Sequence, residues 1–338
     1  MIFNMNDQLL FNKNEKKALL SELGSGRFSH AYLIEGEEGS GKTYLAMFAA
    51  RALLCVGSEK PCGKCAACRK LDAGAYPDLF YYSPEKKATI GVDTVRDIKK
   101  SVYLMPNDGE KKVYIIDEAQ KMTPQAQNAL LKFLEEPPES AVFFIVTDKK
   151  ESMLPTVVSR TRVISTVPAS DEDIALFLKK NNPREDGEQI ASAVRMADGS
   201  PGRALKLLKK DFGKQRQLCL DFVPVMLGTS AADIMAFLLS MKLNRDALKE
   251  FFCLLLTAVC ELLNVKCGVT LTRLLTYDDA RILSAKITDK RISYLADIIM
   301  DTVVRLTENA NINLLLTSFA SKISEDGSTL PSGDYDRN

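Results

Sequence analysis

Residues 36 to 43 read Gly36-Glu37-Glu38-Gly39-Ser40-Gly41-Lys42-Thr43 and fit the pattern G-x-x-x-x-G-K-[ST]. Glycines let the backbone curl until its N–H groups point at phosphate oxygens, at the start of a helix where negative charge is favoured. Lys42 is then placed to reach the β- and γ-phosphates of a nucleotide, and Thr43 to bind Mg²⁺. The candidate phosphate contacts are therefore Gly36, Gly39, Ser40, Gly41, Lys42 and Thr43. The flanks agree with this reading. Ala31-Tyr32-Leu33-Ile34 is a short apolar run suited to a buried parallel strand, and Leu45, Phe48, Ala49 and Leu53 recur afterwards at helical spacing. A chance glycine-rich turn is the plain alternative, and it does not call for either flank.

A second apolar run, Val113-Tyr114-Ile115-Ile116, leads directly into Asp117-Glu118. An Asp at the C-terminal end of a strand facing a phosphate loop is where Mg²⁺ is held, and the next acid is placed to polarise an attacking water. The bland alternative is two acids that end a strand and cap the next helix; beside a phosphate loop it is the weaker reading. A third run, Val142-Phe143-Phe144-Ile145-Val146, ends at Thr147, whose hydroxyl is expected at the same sheet edge.

Cys55, Cys62, Cys65 and Cys68 fall within a short stretch, with two-residue gaps between the last three. Such gaps let neighbouring thiolates turn onto one ion, and Gly63 eases the turn. Four thiolates suit tetrahedral zinc with no open position, hence a structural site. An iron–sulfur cluster and four free thiols are the competing readings, and the six-residue gap and the lack of Pro after Cys68 weigh against the cluster. The other four cysteines, Cys219, Cys253, Cys260 and Cys267, are expected to be small buried hydrophobes.

These residues need elements to hold them. Strand-like runs also occur at Leu79-Phe80-Tyr81-Tyr82 and Arg162-Val163-Ile164, giving five apolar strands alternating with helices. That pattern predicts an α/β domain: a five-stranded parallel sheet with helices on both faces and a ligand at its C-terminal edge. Thr123-Pro124 opens a helix striped by Ala126, Ala129, Leu130, Phe133 and Leu134, and Pro137-Pro138 stops it. Ser170 before Asp171-Glu172-Asp173 opens another, broken at Asn181-Asn182-Pro183, and Ser200-Pro201 a third. From about residue 211 the pattern is helical throughout, with stripes such as Leu248, Phe251, Phe252 and Leu255.

Composition sets the outer bounds. With 46% hydrophobic and 26% charged residues the chain is not mostly disordered and is no disulfide scaffold. Lys+Arg 45 against Asp+Glu 44 gives a formal charge of +1, so no global field holds nucleic acid. The longest uncharged stretch, 309 to 321, is too short and too polar to span a membrane, and the first residues do not read as a signal peptide. The expected compartment is the cytoplasm. The pairs Lys86-Lys87, Lys99-Lys100, Lys111-Lys112 and Lys149-Lys150 read as solvated surface lysines, or as contacts to DNA phosphates.

Beyond these motifs, further stretches carry a family resemblance. They are Ser29-His30-Ala31-Tyr32, the four-cysteine knot, Tyr76-Pro77-Asp78, Ile90-Gly91-Val92-Asp93-Thr94-Val95-Arg96, Asn128 to Pro138, Ser159-Arg160 and Gly199-Ser200-Pro201-Gly202-Arg203-Ala204-Leu205. In these the chain resembles the bacterial clamp-loader AAA+ subunits of the DNA polymerase III holoenzyme, the delta-prime type ahead of the gamma/tau motor type. The resemblance covers residues 29 to 205. It implies an AAA+ P-loop domain over 1–166 with an inserted zinc module at 55–68, a three-helix lid over 167–208, an all-α collar for oligomerisation over 209–325, and a flexible tail over 326–338. It implies ATP with Mg²⁺ and structural Zn²⁺ as cofactors. Thr147 takes the place of the family's first sensor of the γ-phosphate. Arg160 matches the arginine finger that acts on a neighbouring subunit's ATP, with Thr161 where the family has Cys. Arg203 stands one place later than the family's second sensor. The implied partners are gamma/tau and delta subunits in a five-membered ring, the sliding clamp, and primed DNA reached through the assembly, with no membrane. Two functional classes follow: an assembly subunit that donates Arg160, or an ATPase that itself turns over nucleotide with Lys42, Thr43, Asp117 and Glu118. Neither joins nucleotides itself. A third reading, a zinc-dependent nucleic-acid module, is weakened by a knot with few basic residues and no aromatic.

Overall fold

The computed structural model describes residues 11–84, 89–183, 185, 187–208, 210–228, 230–270, 272–308 and 310–324. The tail expected over 326–338, the opening residues and the Lys86-Lys87 pair lie outside the described residues. The chain divides into two compact units. One is built from residues up to Ile190 together with Ala197–Leu205, the other from Ala191–Met196 and the residues from Lys206 onward.

In the first unit, five short runs become strands, and the three central ones are covered on both faces. They are β1 Ala31–Glu35, β2 Leu79–Tyr82, β3 Lys112–Ile116, β4 Ala141–Thr147 and β5 Arg162–Ser165. Their order is β2-β3-β4-β1-β5, and every pairing is parallel. The helices of this part of the chain are α1 Lys13–Gly24, α2 Lys42–Leu54, α3 Ala66–Asp72, α4 Val92–Val102, α5 Pro124–Glu135, α6 Pro155–Val158, α7 Asp171–Asn181, α8 Gly187–Ala197 and α9 Pro201–Leu207. Alternation along the strands sorts the side chains. Leu33, Tyr114, Ile116, Phe143 and Ile145 meet Ile98 and Val102 of α4 and Leu130 and Phe133 of α5. Tyr32, Ile34, Val113, Ile115 and Phe144 meet Leu45, Ala46 and Ala49 of α2 and Leu71 of α3. Double burial is why β1, β3 and β4 read as unbroken apolar runs rather than as alternating ones.

Local signals set the helix ends. The Thr123 hydroxyl accepts the Ala126 N–H at 3.2 Å with Pro124 in the first turn, and α5 stops at Glu135, just before Pro137-Pro138. The Ser170 hydroxyl accepts the Asp173 N–H at 3.2 Å to open α7. Because β1, β4 and β3 are neighbours, the loop after β1, the end of β4 and the residues after β3 come out along one edge of the sheet.

The remaining helices are α10 Lys210–Leu227, α11 Ala231–Ser240, α12 Arg245–Lys266, α13 Tyr277–Ala285, α14 Asp289–Thr307 and α15 Ile312–Ser324. The core of the second unit forms around α12. Phe251 meets Phe252 edge-on with centroids 5.5 Å apart, and Phe252 meets Phe319 of α15 at 4.8 Å. Glu261 is buried on the same helix. Its carboxylate accepts the N–H groups of Arg273, Leu274 and Leu275 at 2.7 to 2.9 Å, which satisfies the charge and fixes the connection into α13.

Two expectations are corrected here. Cys219 is buried, but Cys253, Cys260 and Cys267 are exposed. They recur every seven residues along α12 and its C-cap, off the buried stripe of Leu248, Phe251, Phe252, Leu255 and Leu262. Lys112 is no surface lysine: it opens β3, is buried, and its ammonium donates to the Ser101 carbonyl at 3.0 Å. The carbonyl satisfies a charge that a solvated pair would have left to water.

Lys16 of α1 is also buried, at 5% exposure, with its ammonium 5.4 Å from the Phe48 ring centroid. Burial pushes it down from 10.5 to about 8, against an opposing pull from Glu15. Between those values the unfolded chain binds the Lys16 proton and the folded chain does not, so stability rises with pH across that window. Lys16→Met removes the effect. Denaturant melts at pH 7 through 10.5 are expected to show wild type gaining on K16M as pH rises; parallel curves would refute the assignment.

Candidate nucleotide site and metal centre

The loop between β1 and α2 is held in shape by its own lysine. The Lys42 ammonium, 8% exposed, donates to the carbonyls of Gly36 at 2.6 Å and Glu37 at 2.8 Å, and to Asp148 Oδ1 at 2.9 Å. These three acceptors match the three protons of the ammonium group. Asp148 Oδ2 accepts from Gln120 Nε2 at 2.7 Å. The backbone turns that the loop needs are open to glycine: Gly36 has φ +153° and Gly39 φ +79°, and a Cβ on Gly36 would lie 1.9 Å from Thr166 Oγ1. The loop also leans on the start of α9. The Gly202 N–H donates to the Gly39 carbonyl at 2.9 Å and the Ser200 hydroxyl to the Glu38 carbonyl at 3.1 Å. The two backbones are so close that a Cβ on Gly202 would lie 2.7 Å from Gly39 Cα.

Thr43 Oγ1 donates to Asp117 Oδ2 at 3.1 Å, so the first turn of α2 and the end of β3 meet. Tyr81 of β2 donates its phenolic proton to the same oxygen at 2.5 Å, and Asp117 Oδ1 accepts the Glu118 N–H at 2.9 Å. Burial and the Asp117 carboxylate push the Tyr81 phenol well above its usual value, so it stays a donor at neutral pH. Glu118 sits in the left-handed region with φ 52°, and its carboxylate pairs with Lys121 at 2.8 Å. A hydroxyl and a carboxylate at this spacing are hard oxygen donors that fit Mg²⁺, which keeps waters in its remaining positions.

A cleft of about 400 Å³ runs over these groups. Gly39, Gly41, Lys42, Thr43, Asp117, Glu118, Gln120 and Asp148 line its polar part. Phe11, Phe177 and Leu205 line an apolar part, with the two rings edge-to-face at 5.1 Å. A volume of this order suits a nucleotide-sized ligand.

Other candidates lie elsewhere. Thr147 is fully buried, its hydroxyl donates to the Lys149 carbonyl at 3.1 Å, and it does not line the cleft; Asp148 does. Arg203 is exposed, while Pro201, Gly202 and Leu205 supply the α9 wall. Arg160 lies outside the cleft, with its side chain 38% exposed, paired with Glu135 at 2.9 Å and donating to the Thr156 carbonyl at 3.1 Å. Sequence reasoning missed Asp148, Gln120 and Tyr81. Asp148 carried a usable signal, an acid directly after a strand that ends at the ligand edge. Tyr81 carried none, because only the sheet order puts β2 beside β3.

The four cysteines of the knot converge. Their sulfurs all lie within 4.8 Å of one another, and Cys55 Sγ is 3.9 Å from Cys65 Sγ. Tetrahedral Zn–S bonds of about 2.3 Å would set sulfurs about 3.8 Å apart. Backbone N–H groups aim at the sulfurs: Gly57 and Cys62 at Cys55 (3.4 and 3.3 Å), Cys65 at Cys62 (3.4 Å), Cys68 at Cys65 (3.4 Å). Burial pushes Cys55 and Cys68 up. The N–H groups of Lys64 and Cys65 pull Cys62 down. Burial works against ionising Cys65 too, but the N–H groups of Cys68 and Val56 outweigh it and bring Cys65 to about 6. Without a cation, four ionised thiolates at this spacing would repel; with one, their charge is compensated. The cluster can hold a metal ion.

The fold and loop are those of a P-loop α/β domain carrying a four-cysteine knot. A family model described as "DNA polymerase III, delta subunit" matches residues 11–169. The chain is 36% identical over 205 residues to DNA polymerase III subunit delta-prime of Escherichia coli K12, covering 60% of this chain and 61% of that one. It is 35% identical over 217 residues to the delta-prime subunit of Pseudomonas aeruginosa, covering 63% and 66%. With subunit gamma of Buchnera aphidicola subsp. Schizaphis graminum the identity is 32% over 246 residues, covering 71% and 67%. A solved gamma subunit-related protein from Thermotoga maritima aligns over 93% of this chain and 99% of its own at 20% identity, with TM-score 0.49. The chain belongs to the family of DNA polymerase III delta-prime and gamma/tau subunits. It spans about three fifths of the length of the Escherichia coli relative (61%). Among the described residues no helix is long and apolar enough to cross a membrane.

Metal analysis of the purified chain is expected to find one equivalent of zinc. Cys68→Ser, at a fully buried cysteine of the cluster, should lose most of that zinc and melt several degrees lower. A chain that melts alike with and without chelator would refute a structural metal.

Proposed function

We propose that this chain is a delta-prime-type subunit of a DNA polymerase III clamp loader. It helps load a sliding clamp onto primed DNA by binding ATP and by donating Arg160 to the ATP site of a neighbouring subunit. The observation that carries this reading is the separation of two groups. Lys42, Thr43 and Asp117 gather in the cleft, while the Arg160 guanidinium is exposed outside it. An exposed arginine outside its own chain's cleft is open to a neighbour's nucleotide, and a trans arginine of this kind is worth roughly 10³–10⁵ in rate in related phosphoryl-transfer enzymes. Release from Glu135 would free its planar fork for bidentate contact with phosphate oxygens.

Within the cleft, Lys42 gives up one or more of its three acceptors to meet the β- and γ-phosphates. The loop N–H groups and the start of α2 hold the rest of the triphosphate. Thr43 and Asp117 are the residues to hold Mg²⁺, which when bound neutralises charge developing on the phosphate oxygens. Phe11, Phe177 and Leu205 offer an apolar bed for the base. The four thiolates hold a structural Zn²⁺ between α2 and α3. The finer roles follow the family pattern: Thr147 as first sensor, Arg203 as second, a lid over 167–208, a ring-forming collar over 209–325, and a five-membered ring with gamma/tau and delta subunits in the cytoplasm. Thr147 reaches the nucleotide only through its neighbours, since Asp148 holds the wall.

The second reading is a gamma/tau-type motor that hydrolyses ATP itself, favoured by the complete set Lys42, Thr43, Asp117 and Glu118. ATPase assays on the chain alone and in a reconstituted complex separate the two. Arg160→Ala is expected to cut the complex's turnover by ~10³ or more, with Lys42→Ala leaving most of it; turnover by the isolated chain that vanishes in K42A would install the motor reading. Asp148→Asn weakens the hold on Lys42 and is expected to tighten ATP binding several-fold by calorimetry.

A further inference from the structure

Asp117 Oδ2 carries two hydroxyl donors at once, Thr43 from α2 and Tyr81 from β2. Only the first belongs to the phosphate loop. Tyr81 comes from the edge strand, paired in register with Ile115 of β3. The sheet register therefore fixes where its ring leaves the backbone. Leu79, two residues earlier on the same strand, packs with Val113 and Ile115 on the face that α2 covers, and Tyr81 projects on that same side. At 40% exposure it is no core residue, and it lines the cleft. Its phenol ends on the carboxylate that the nucleotide reading assigns to the cation.

A carboxylate oxygen has two lone-pair sites, and here both point at O–H protons. A divalent cation needs one of them. Thr43 can make way by rotating its hydroxyl so that it offers a lone pair instead of a proton. The cation can take the site that Thr43 vacates, but the Tyr81 phenol, 2.5 Å from Oδ2, still draws on the charge of the same oxygen and weakens it as a ligand.

We propose that Tyr81 is a positioning residue of the cation site. It holds Asp117 toward Thr43 in the resting cleft and competes with Mg²⁺ for the charge of Oδ2, so it raises the Mg²⁺ concentration at which ATP binding becomes cation-assisted. This rests on the nucleotide reading above and adds to it a residue that no phosphate-loop motif contains.

Calorimetric titration of ATP into the full chain, in EDTA and over a series of Mg²⁺ concentrations, tests it. Tyr81→Phe keeps the ring and removes the proton. Its half-maximal Mg²⁺ concentration is expected to fall by about three- to tenfold, the worth of one ordinary hydrogen bond, with ATP affinity in EDTA unchanged. Tyr81→Leu should shift the same way, which separates the hydroxyl from the ring. An unchanged or raised Mg²⁺ midpoint, with ATP still bound, overturns the competition and leaves the nucleotide reading intact. An equal gain with and without Mg²⁺ overturns it as well, since that reports unblocking of the cleft. Absence of ATP binding by the wild-type chain in every medium overturns both.

Discussion

A charge taken out of water must be paired, and the Lys42 ammonium shapes the edge of the sheet around that requirement. Its three acceptors come from the first two residues of its own loop and from the residue after β4. Because β4 lies between β1 and β3, the same bond that satisfies Lys42 draws the end of the middle strand into the site. Gln120, just past β3, then steadies Asp148 from the other side. One ammonium group thus fastens the loop to the ends of β1 and β4, and through Asp148 and Gln120 to the end of β3.

Much of this was legible in the residue order. Five apolar runs marked five strands, most clearly β1, β3 and β4, where both covered faces leave no alternation to blur the signal. Thr123 and Ser170 marked helix starts because a hydroxyl that caps a free N–H must sit at one position. The Thr43–Asp117 meeting was implied by loop and strand together. What stayed hidden depended on partners far away in sequence. Tyr81 acquires its role from lying on a strand next to β3, and Lys112 from the Ser101 carbonyl waiting above the start of that strand. Cys253, Cys260 and Cys267 were misjudged because cysteine in general favours the interior, whereas the phase of α12 decided their side.

The four-cysteine knot shows the opposite balance. There the spacing alone was nearly sufficient, because two-residue gaps bring thiols and the following N–H groups into one small turn. The structure adds how unequal the sulfurs are: Cys55 and Cys68 lie buried, Cys62 and Cys65 nearer the surface. A cation placed among them would have two ligands shielded from water and two closer to it.

Finally, Gly39 and Gly202 touch backbone to backbone, with no side chain on either that could be trimmed to make room for a change in the other. The phosphate loop is therefore not a portable cassette. Transplanted into another scaffold as eight residues, it would arrive without half of its mould; the turn from Ser200 to Gly202 would have to travel with it.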